Sequence, residues 1–176
     1  MAFILDAGGN VVSFAEYTDV TSIDQRVFEA NEGLTQDIVE DMLERSTDRI
    51  IQKIKASSWW RDYQQQIGSG FNSLAELPTP NKNLFLRQAD WTDCCVFHTL
   101  SQYLYPKIAN FGDPDSEEVQ KMKYFDTRFA DIFEELLSMG DFYDQNDDGT
   151  IQTDEKLVKF ADTRRTRGRR AIVRVK

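Results

Sequence analysis

Residues 144–155 restrict what this chain can form more than any other stretch. Acidic or amide side chains hold the first, third and fifth positions of this segment; they are Asp144, Asn146 and Asp148. Gly149 holds the sixth position, where the chain must turn so sharply that a Cβ would obstruct it. Glu155 holds the twelfth position. This spacing is typical of the EF-hand calcium loop, in which oxygen ligands surround one ion.

The loop therefore predicts a site for one structural calcium ion. Thr150 would supply its backbone carbonyl, and Glu155 would supply a bidentate carboxylate. The predicted ligands are Asp144, Asn146, Asp148, Thr150 and Glu155. The alternative is a turn without metal, because Asp, Asn and Gly also follow helices simply to stop them. Only one such loop is present, which favours a structural cation over a calcium sensor.

Three segments carry apolar residues at helical spacing and predict the body of the fold. They are residues 35–57, 84–105 and 116–139. Each has one strong apolar face, so we expect the three helices to pack on one another around a single core. The predicted fold class is mainly α: a helical bundle with a short N-terminal hairpin and an extended basic C-terminal tail.

Local signals predict the boundaries between these elements. Thr21 or Ser22 would cap a short helix that runs through Ala30. Residues 64–83 are rich in Gly, Ser, Asn, Gln and Pro and predict a long connection. Pro106 would end the second long helix. The predicted organisation is a hairpin arm over 1–20, an α-helical body over 21–143, the EF-hand-like acidic loop over 144–155 and a basic tail over 156–176.

Two adjacent tryptophans, Trp59 and Trp60, follow the first long helix. Neighbouring residues on a helix point in different directions. We therefore expect one indole to lie in the core and the other to be available for a subunit contact.

The remaining candidates for chemistry are few. Cys94 and Cys95 lie within a helical pattern and are expected to be reduced and buried. His98 is the only histidine and is expected to be a packed polar residue. The chain contains no phosphate-binding glycine loop, no Gly-x-Ser-x-Gly and no His-Glu-x-x-His, so we expect that it is not an enzyme.

The net charge of −9 conceals a separation of charge along the chain. Residues 164–176 include seven basic residues and no acidic one, so the rest carries 14 basic against 30 acidic residues, a net charge of −16. Such a tail could contact nucleic acid or an acidic protein surface, including that of a neighbouring copy. No stretch approaches the roughly 18 apolar residues of a membrane span, so we expect no membrane association.

The order of elements resembles a known family of structural proteins. A long helical pattern over 34–43 and 50–54 is followed by an aromatic one over 91–105 and a third over 124–137, before the acidic turn and the basic end. This order is similar to that of the head–tail connector (adaptor, or head-completion) proteins of tailed bacteriophages.

The resemblance implies a structural virion subunit of a phage neck that is assembled in the cytoplasm of the host bacterium. About twelve copies would form an adaptor ring between the portal and the tail, in contact with the portal protein and with other neck and tail proteins. DNA would pass nearby without sequence-specific binding. The tail would dock on a partner through Arg164, Arg165, Arg167, Arg169, Arg170, Ile172, Val173, Arg174 and Val175. The competing hypothesis is a calcium-binding, EF-hand-like interaction module.

Overall fold

The computed structural model describes residues 4–29, 33–71, 73, 75–113 and 115–152. The fold of these residues is mainly helical with a two-stranded hairpin near the N-terminus, which confirms the predicted fold class. The strands are β1 (Ile4–Leu5) and β2 (Val11–Ser13). The helices are α1 (Tyr17–Ile23), α2 (Arg26–Glu29), α3 (Gln36–Ala56), α4 (Ser58–Gln66), α5 (Gln88–Thr99), α6 (Tyr105–Ile108) and α7 (Glu117–Met139).

The hairpin is antiparallel, and its turn is organised by Asp6. The Asp6 carboxylate accepts hydrogen bonds from the backbone N–H groups of Gly8 and Asn10, each at 2.8 Å. After β2 the chain enters the core at Phe14, which is fully buried. The Phe14 N–H donates to the hydroxyl of Thr47 on α3 at 3.1 Å, so the hairpin is fastened to the first long helix.

The first short helix begins earlier than predicted. α1 starts at Tyr17, because the backbone N–H of Glu16 donates to the carboxylate of Asp19 at 2.8 Å and this contact closes the first turn. Thr21 and Ser22, which were expected to cap the helix, therefore lie inside it.

The predicted connection over 64–83 also begins later, because α4 follows α3 almost directly. Ser57 ends α3 and caps α4, since its hydroxyl accepts a hydrogen bond from the backbone N–H of Trp60 at 3.2 Å. α4 then continues to Gln66.

The second long helix does not end at Pro106, so that prediction is wrong. α5 begins at Gln88, passes through a π-helical turn over Leu100–Leu104 and continues into α6. Pro106 lies in the first turn of α6. The wider turn before it lets the chain restart a helix at a position where the missing N–H of proline is tolerated.

α5 and α7 form an antiparallel pair. At one end, the rings of Tyr105 and Phe125 stack at 5.6 Å. At the other end, Arg87 pairs with Asp141 at 2.9 Å, just after Gly140 ends α7 in the left-handed conformation (φ 68°). α3 also packs against α5, so α5 is the central helix of the body. None of the helices within the described ranges combines the length and apolar content needed to cross a membrane.

Candidate functional site

The acidic loop is held on the helical body by a short antiparallel bridge between Phe85 and Tyr143. The N–H of Leu86 donates to the carbonyl of Phe142 at 2.8 Å, and the N–H of Asp144 donates to the carbonyl of Leu84 at 2.9 Å. The first position of the predicted calcium loop is therefore fixed by backbone contacts to the segment that precedes α5.

Asp144 organises the first half of this loop. It is buried, and its carboxylate accepts hydrogen bonds from the backbone N–H groups of Asp147 at 2.9 Å and Gly149 at 2.7 Å. Asp147 and Gly149 both adopt the left-handed conformation, with φ of 59° and 80°. The sharp turn expected at the sixth loop position is present, and glycine accommodates it without steric cost.

Asp148 has a similar local role in the second half of the described loop. Its carboxylate accepts hydrogen bonds from the Thr150 backbone N–H at 2.9 Å, the Thr150 hydroxyl at 2.8 Å and the Gln152 side-chain amide at 2.6 Å. These hydrogen bonds, that of the Thr150 hydroxyl foremost, hold the pKa of the Asp148 carboxyl below its usual value. The carboxylate is therefore charged at neutral pH.

The described part of the loop carries oxygen atoms of the kind that calcium prefers. Four of the five predicted ligands lie in it, and Glu155 lies outside the described residues. Among the residues that the structure describes, no three His, Cys, Asp or Glu side chains form a group that could hold a metal ion. Calcium binding remains a prediction that depends on Glu155 joining the other four.

Trp59 and Trp60 are both buried, so the expectation that one of them points outward is wrong. α4 is covered on two sides. The Trp60 indole N–H donates to the carbonyl of Pro78 at 2.8 Å, so the connection after α4 folds over that ring. The Trp59 ring lies 4.4 Å from the ring of Phe142, which follows α7. Neither indole is exposed for a subunit contact in this fold.

These two rings belong to an aromatic cluster that the sequence alone does not predict. The cluster consists of Phe14, Trp59, Trp60, Tyr63, Phe85, Trp91, Phe142 and Tyr143, with neighbouring ring centroids between 4.4 and 5.9 Å apart. It joins the hairpin, α4, the start of α5 and the acidic loop. The residues come from four separate parts of the sequence, so no local pattern reveals their contact.

The expectations for the cysteines and the histidine are confirmed. Cys94 and Cys95 are free and fully buried. The Nδ1 atom of His98 lies 3.1 Å from the hydroxyl of Ser46, and the residue is buried. Burial, together with the positive charge of Lys53, lowers the pKa of His98 to about 4, so the imidazole is neutral at pH 7.

A groove lies between α2, α6 and α7, and we call it the α2–α6–α7 groove. Its volume is about 360 Å³. Apolar atoms of Val27, Tyr105 and Ile108 line one part, and the charged side chains of Arg26, Glu117, Glu118 and Lys121 line the rest. The groove therefore combines an apolar surface with charges of both signs.

A hydrogen-bond and ion-pair network centred on Asp24 connects residues that line this groove. The Tyr105 hydroxyl donates a hydrogen bond to the Asp24 carboxylate. The Lys121 ammonium lies 3.2 Å from the same carboxylate and 3.2 Å from that of Glu117. Burial alone would raise the pKa of Asp24, but the hydrogen bonds from Tyr105 and Lys121 outweigh it and lower that pKa.

The sequence shows only part of this network. The spacing of Glu117 and Lys121, one helical turn apart, is a visible signal for an ion pair. The contact of Lys121 with Asp24 joins residues 97 positions apart, and no local pattern predicts it.

The predicted partner-binding residues of the tail lie outside the described residues. They are Arg164, Arg165, Arg167, Arg169, Arg170, Ile172, Val173, Arg174 and Val175. No model of a known protein family matches the chain, and no curated protein or solved structure shows significant similarity to it. The candidate site is therefore interpreted from its residues, contacts and charges.

Proposed function

We propose that this chain is a structural virion subunit of a phage neck that forms an adaptor ring between the portal and the tail. The observation that carries the proposal is the separation of charge between an acidic body and a basic C-terminal segment. The body carries a net charge of −16 and residues 164–176 carry seven basic residues. The order of α3, α5 and α7 agrees with the helix order on which the resemblance to connector proteins rests.

The first half of α3 carries an acidic surface, whereas its second half carries the exposed Arg45, Arg49 and Lys53. Asp37, Asp41 and Glu44 are exposed on this helix and make no ion pair within the described residues. Carboxylates repel the phosphates of DNA instead of retaining them. An acidic wall of this kind would let DNA pass through a ring without sequence-specific binding.

The acidic loop supports a docking role for the segment that follows it. The backbone bridge at Phe85 and Tyr143 fixes the chain just after α7, so the start of the acidic loop is held at a defined point of the body. The arginines of the basic segment would contact acidic side chains of the portal or of a neighbouring copy. Exposed ion pairs are weak individually, so the affinity would come from many copies around a ring.

The proposal is tested by assembly with the portal protein of the phage that encodes the chain. The purified full chain is mixed with portal particles, and the complexes are examined by sedimentation and electron microscopy. We expect a ring of density on one face of the portal. Portal particles that stay bare, together with virions that lack the chain by mass spectrometry, would contradict the proposal.

A matched pair of variants separates the tail from the body in this assay. The tail variant carries Arg170→Glu and Arg174→Glu, and the control carries Asp41→Lys and Glu44→Lys on the α3 surface. We expect the tail variant to lose binding to the portal–neck assembly and the control to retain it. Equal binding by both would assign the contact to another surface of the body.

The second candidate function is a calcium-binding, EF-hand-like interaction module. It is favoured by the first half of the loop, in which Asp144 holds the backbone N–H groups of Asp147 and Gly149 around a left-handed turn. This function requires that calcium binding change a surface that a target recognises. A target that binds the full chain equally well in calcium and in a chelator would exclude it.

A further inference from the structure

The α2–α6–α7 groove and the acidic loop lie at opposite ends of the α5/α7 pair. Tyr105 and Lys121, which line the groove, lie near the start of α7, whereas the loop follows Gly140 at its end. α7 has 23 residues, which corresponds to a length of about 34 Å at a rise of about 1.5 Å per residue. The described chain therefore ends, at Gln152, on the part of the molecule that is distant from the groove.

The groove combines apolar atoms with charges of both signs, and the turn before α7 gives its edge a surplus of carboxylates. Its apolar part is formed by the largely buried Val27 and Tyr105 and by the partly exposed Ile108. At its edge, Glu117 pairs with Arg26 at 3.3 Å and with Lys121 at 3.2 Å, whereas Glu118 makes no ion pair within the described residues.

The segment that leads into α7 adds acidic side chains at this end of the molecule. Asp113 and Asp115 precede the helix and are exposed, and neither makes an ion pair within the described residues. Together with the groove edge they place four carboxylates within six positions of the chain.

Residues 164–176 have the complementary composition. The segment contains no acidic residue. Its apolar side chains alternate with arginines: Ile172 and Val173 lie between Arg170 and Arg174, and Val175 follows Arg174. The apolar side chains fit the apolar part of the groove, and the arginines fit its acidic edge. We propose that residues 164–176 of one copy bind in the α2–α6–α7 groove of a second copy of this chain.

The position of Gln152, where the described chain ends at the opposite end of the body from the groove, favours two copies over one. Binding of residues 164–176 of one copy in the groove of the next would be a head-to-tail contact, which uses different surfaces on the two partners. Repetition of such a contact closes a ring when its rotation allows closure. This inference deepens the proposed neck function, on which it rests for the ring, and identifies the next copy as the partner of the tail.

The full chain and four charge variants test the contact by sedimentation at low salt. The groove variant carries Glu117→Lys and Glu118→Lys, and the tail variant carries Arg170→Glu and Arg174→Glu. We expect the wild-type chain to form larger species as its concentration rises, with association that weakens as salt increases. Each variant alone should associate at least about tenfold more weakly, because like charges then face each other.

Mixing the variants gives the sharpest result. In an equal mixture, the intact tail of the groove variant matches the intact groove of the tail variant, and the acidic tail of the latter matches the basic groove of the former. The mixture should therefore form larger species as the wild type does, although neither variant does so alone. A chain with all four substitutions should associate again, because the reversed charges are again complementary. The tail substitutions change no residue of the groove, so their effect does not depend on how well the groove variant folds. Melting temperatures check the folding of the groove variant.

The control variant carries Asp41→Lys and Glu44→Lys, which change the net charge as much as the groove variant does but on the α3 surface. It should associate like the wild type. A wild-type chain that stays monomeric, whether its tail is unbound or folded onto its own groove, would overturn the inference. So would a groove variant that associates as strongly as the wild type.

The proposed neck function can fail separately. If the chain associates through the groove but never joins the portal, the groove contact stands and the neck function is wrong. If groove variants join the portal and form rings as the wild type does, the neck function stands and the groove contact is wrong.

Discussion

The hydroxyl of Tyr105 donates a hydrogen bond to the carboxylate of Asp24, and this contact fastens the turn between α1 and α2 to the start of α6. Lys121 approaches the same carboxylate from α7 at 3.2 Å. Three parts of the chain that are distant in sequence therefore meet at one carboxylate with a side chain only 10% exposed. Two donors hold the charge of Asp24 in a place where an unpaired carboxylate would be costly.

Replacing Tyr105 by Phe should lower the free energy of unfolding at pH 7 by about 1–3 kcal/mol, because a hydrogen bond to a charged group is lost. The folded-state pKa of Asp24 lies below its unfolded value of 3.8, so its contribution is present above that pH and is lost as the pH falls through the folded pKa. The effect of Tyr105→Phe should therefore shrink in acid. Urea unfolding of the wild type and the variant at pH 7 and near pH 3 measures the difference in the free energy of unfolding at each pH.

Tyr124→Phe is the matched control for this experiment, because the Tyr124 side chain is 58% exposed. It should change the free energy of unfolding by less than about 0.5 kcal/mol. Equal losses for the two variants would show that the Asp24 contact contributes nothing specific.

His98 should make stability depend on pH between about pH 6.5 and pH 4. The folded-state pKa of about 4 lies below the ordinary value of 6.5, so the unfolded chain binds the proton first as the pH falls. Stability from the neutral imidazole is complete above pH 6.5 and is lost on the way to pH 4, by an amount on the order of 3 kcal/mol.

His98→Gln should flatten this dependence, most clearly between pH 6.5 and pH 5, where few carboxylates titrate. His98 is the only histidine of the chain, so no other imidazole contributes to the slope. Denaturant unfolding at several pH values measures the slope of the unfolding free energy against pH. An unchanged slope in the variant would assign the pH dependence to other groups.

Gly140→Ala should destabilise the protein more than Gly68→Ala. Both glycines adopt the left-handed conformation, with φ of 68° and 75°, so both substitutions carry backbone strain of about 1–2 kcal/mol. A Cβ at Gly140 would also lie 3.0 Å from the indole nitrogen of Trp59, whereas nothing lies within 4 Å at Gly68. The difference between the two melting temperatures isolates the contact with Trp59. Identical decreases in melting temperature would mean that the Trp59 indole moves aside at no energetic cost.

Trp60→Phe should release the connection that follows α4. The substitution removes the indole N–H that donates to Pro78 at 2.8 Å. Trp59→Phe removes a similar ring area, but the Trp59 indole N–H has no acceptor within the described residues. We expect Trp60→Phe to cost about 1 kcal/mol more than Trp59→Phe. It should also speed amide exchange near Pro78, and equal exchange in both variants would contradict this interpretation.

Calcium at millimolar concentration should raise the melting temperature if the acidic loop binds it, because a ligand of the folded state alone stabilises by mass action. Asp148→Ala and Glu155→Ala should both abolish the shift. The control is Asp6→Ala, which removes a carboxylate with the same kind of turn hydrogen bonds from the hairpin. A wild-type melting temperature that does not respond to calcium would reduce the loop to a turn that caps α7.

Local sequence signals determined the elements that depend on neighbouring residues. The hairpin turn follows from Asp6 and Asn10, the long helices follow from their apolar spacing, and the end of α7 follows from Gly140. The sharp turn of the acidic loop was likewise predictable, because Asp144 and Gly149 are only five residues apart. In each case the interacting groups lie within a few residues of each other along the chain.

The tertiary structure decided where distant groups meet. Pro106 was expected to end a helix, but the π-helical turn before it carries the chain into α6. One tryptophan of α4 was expected at the surface, but Pro78 and Phe142 cover both. Asp24 gave no local sign of its pairing with Tyr105 and Lys121. The sequence specifies which side chains are apolar, charged or turn-forming, whereas burial and ion pairing depend on the packing of helices far apart in the chain.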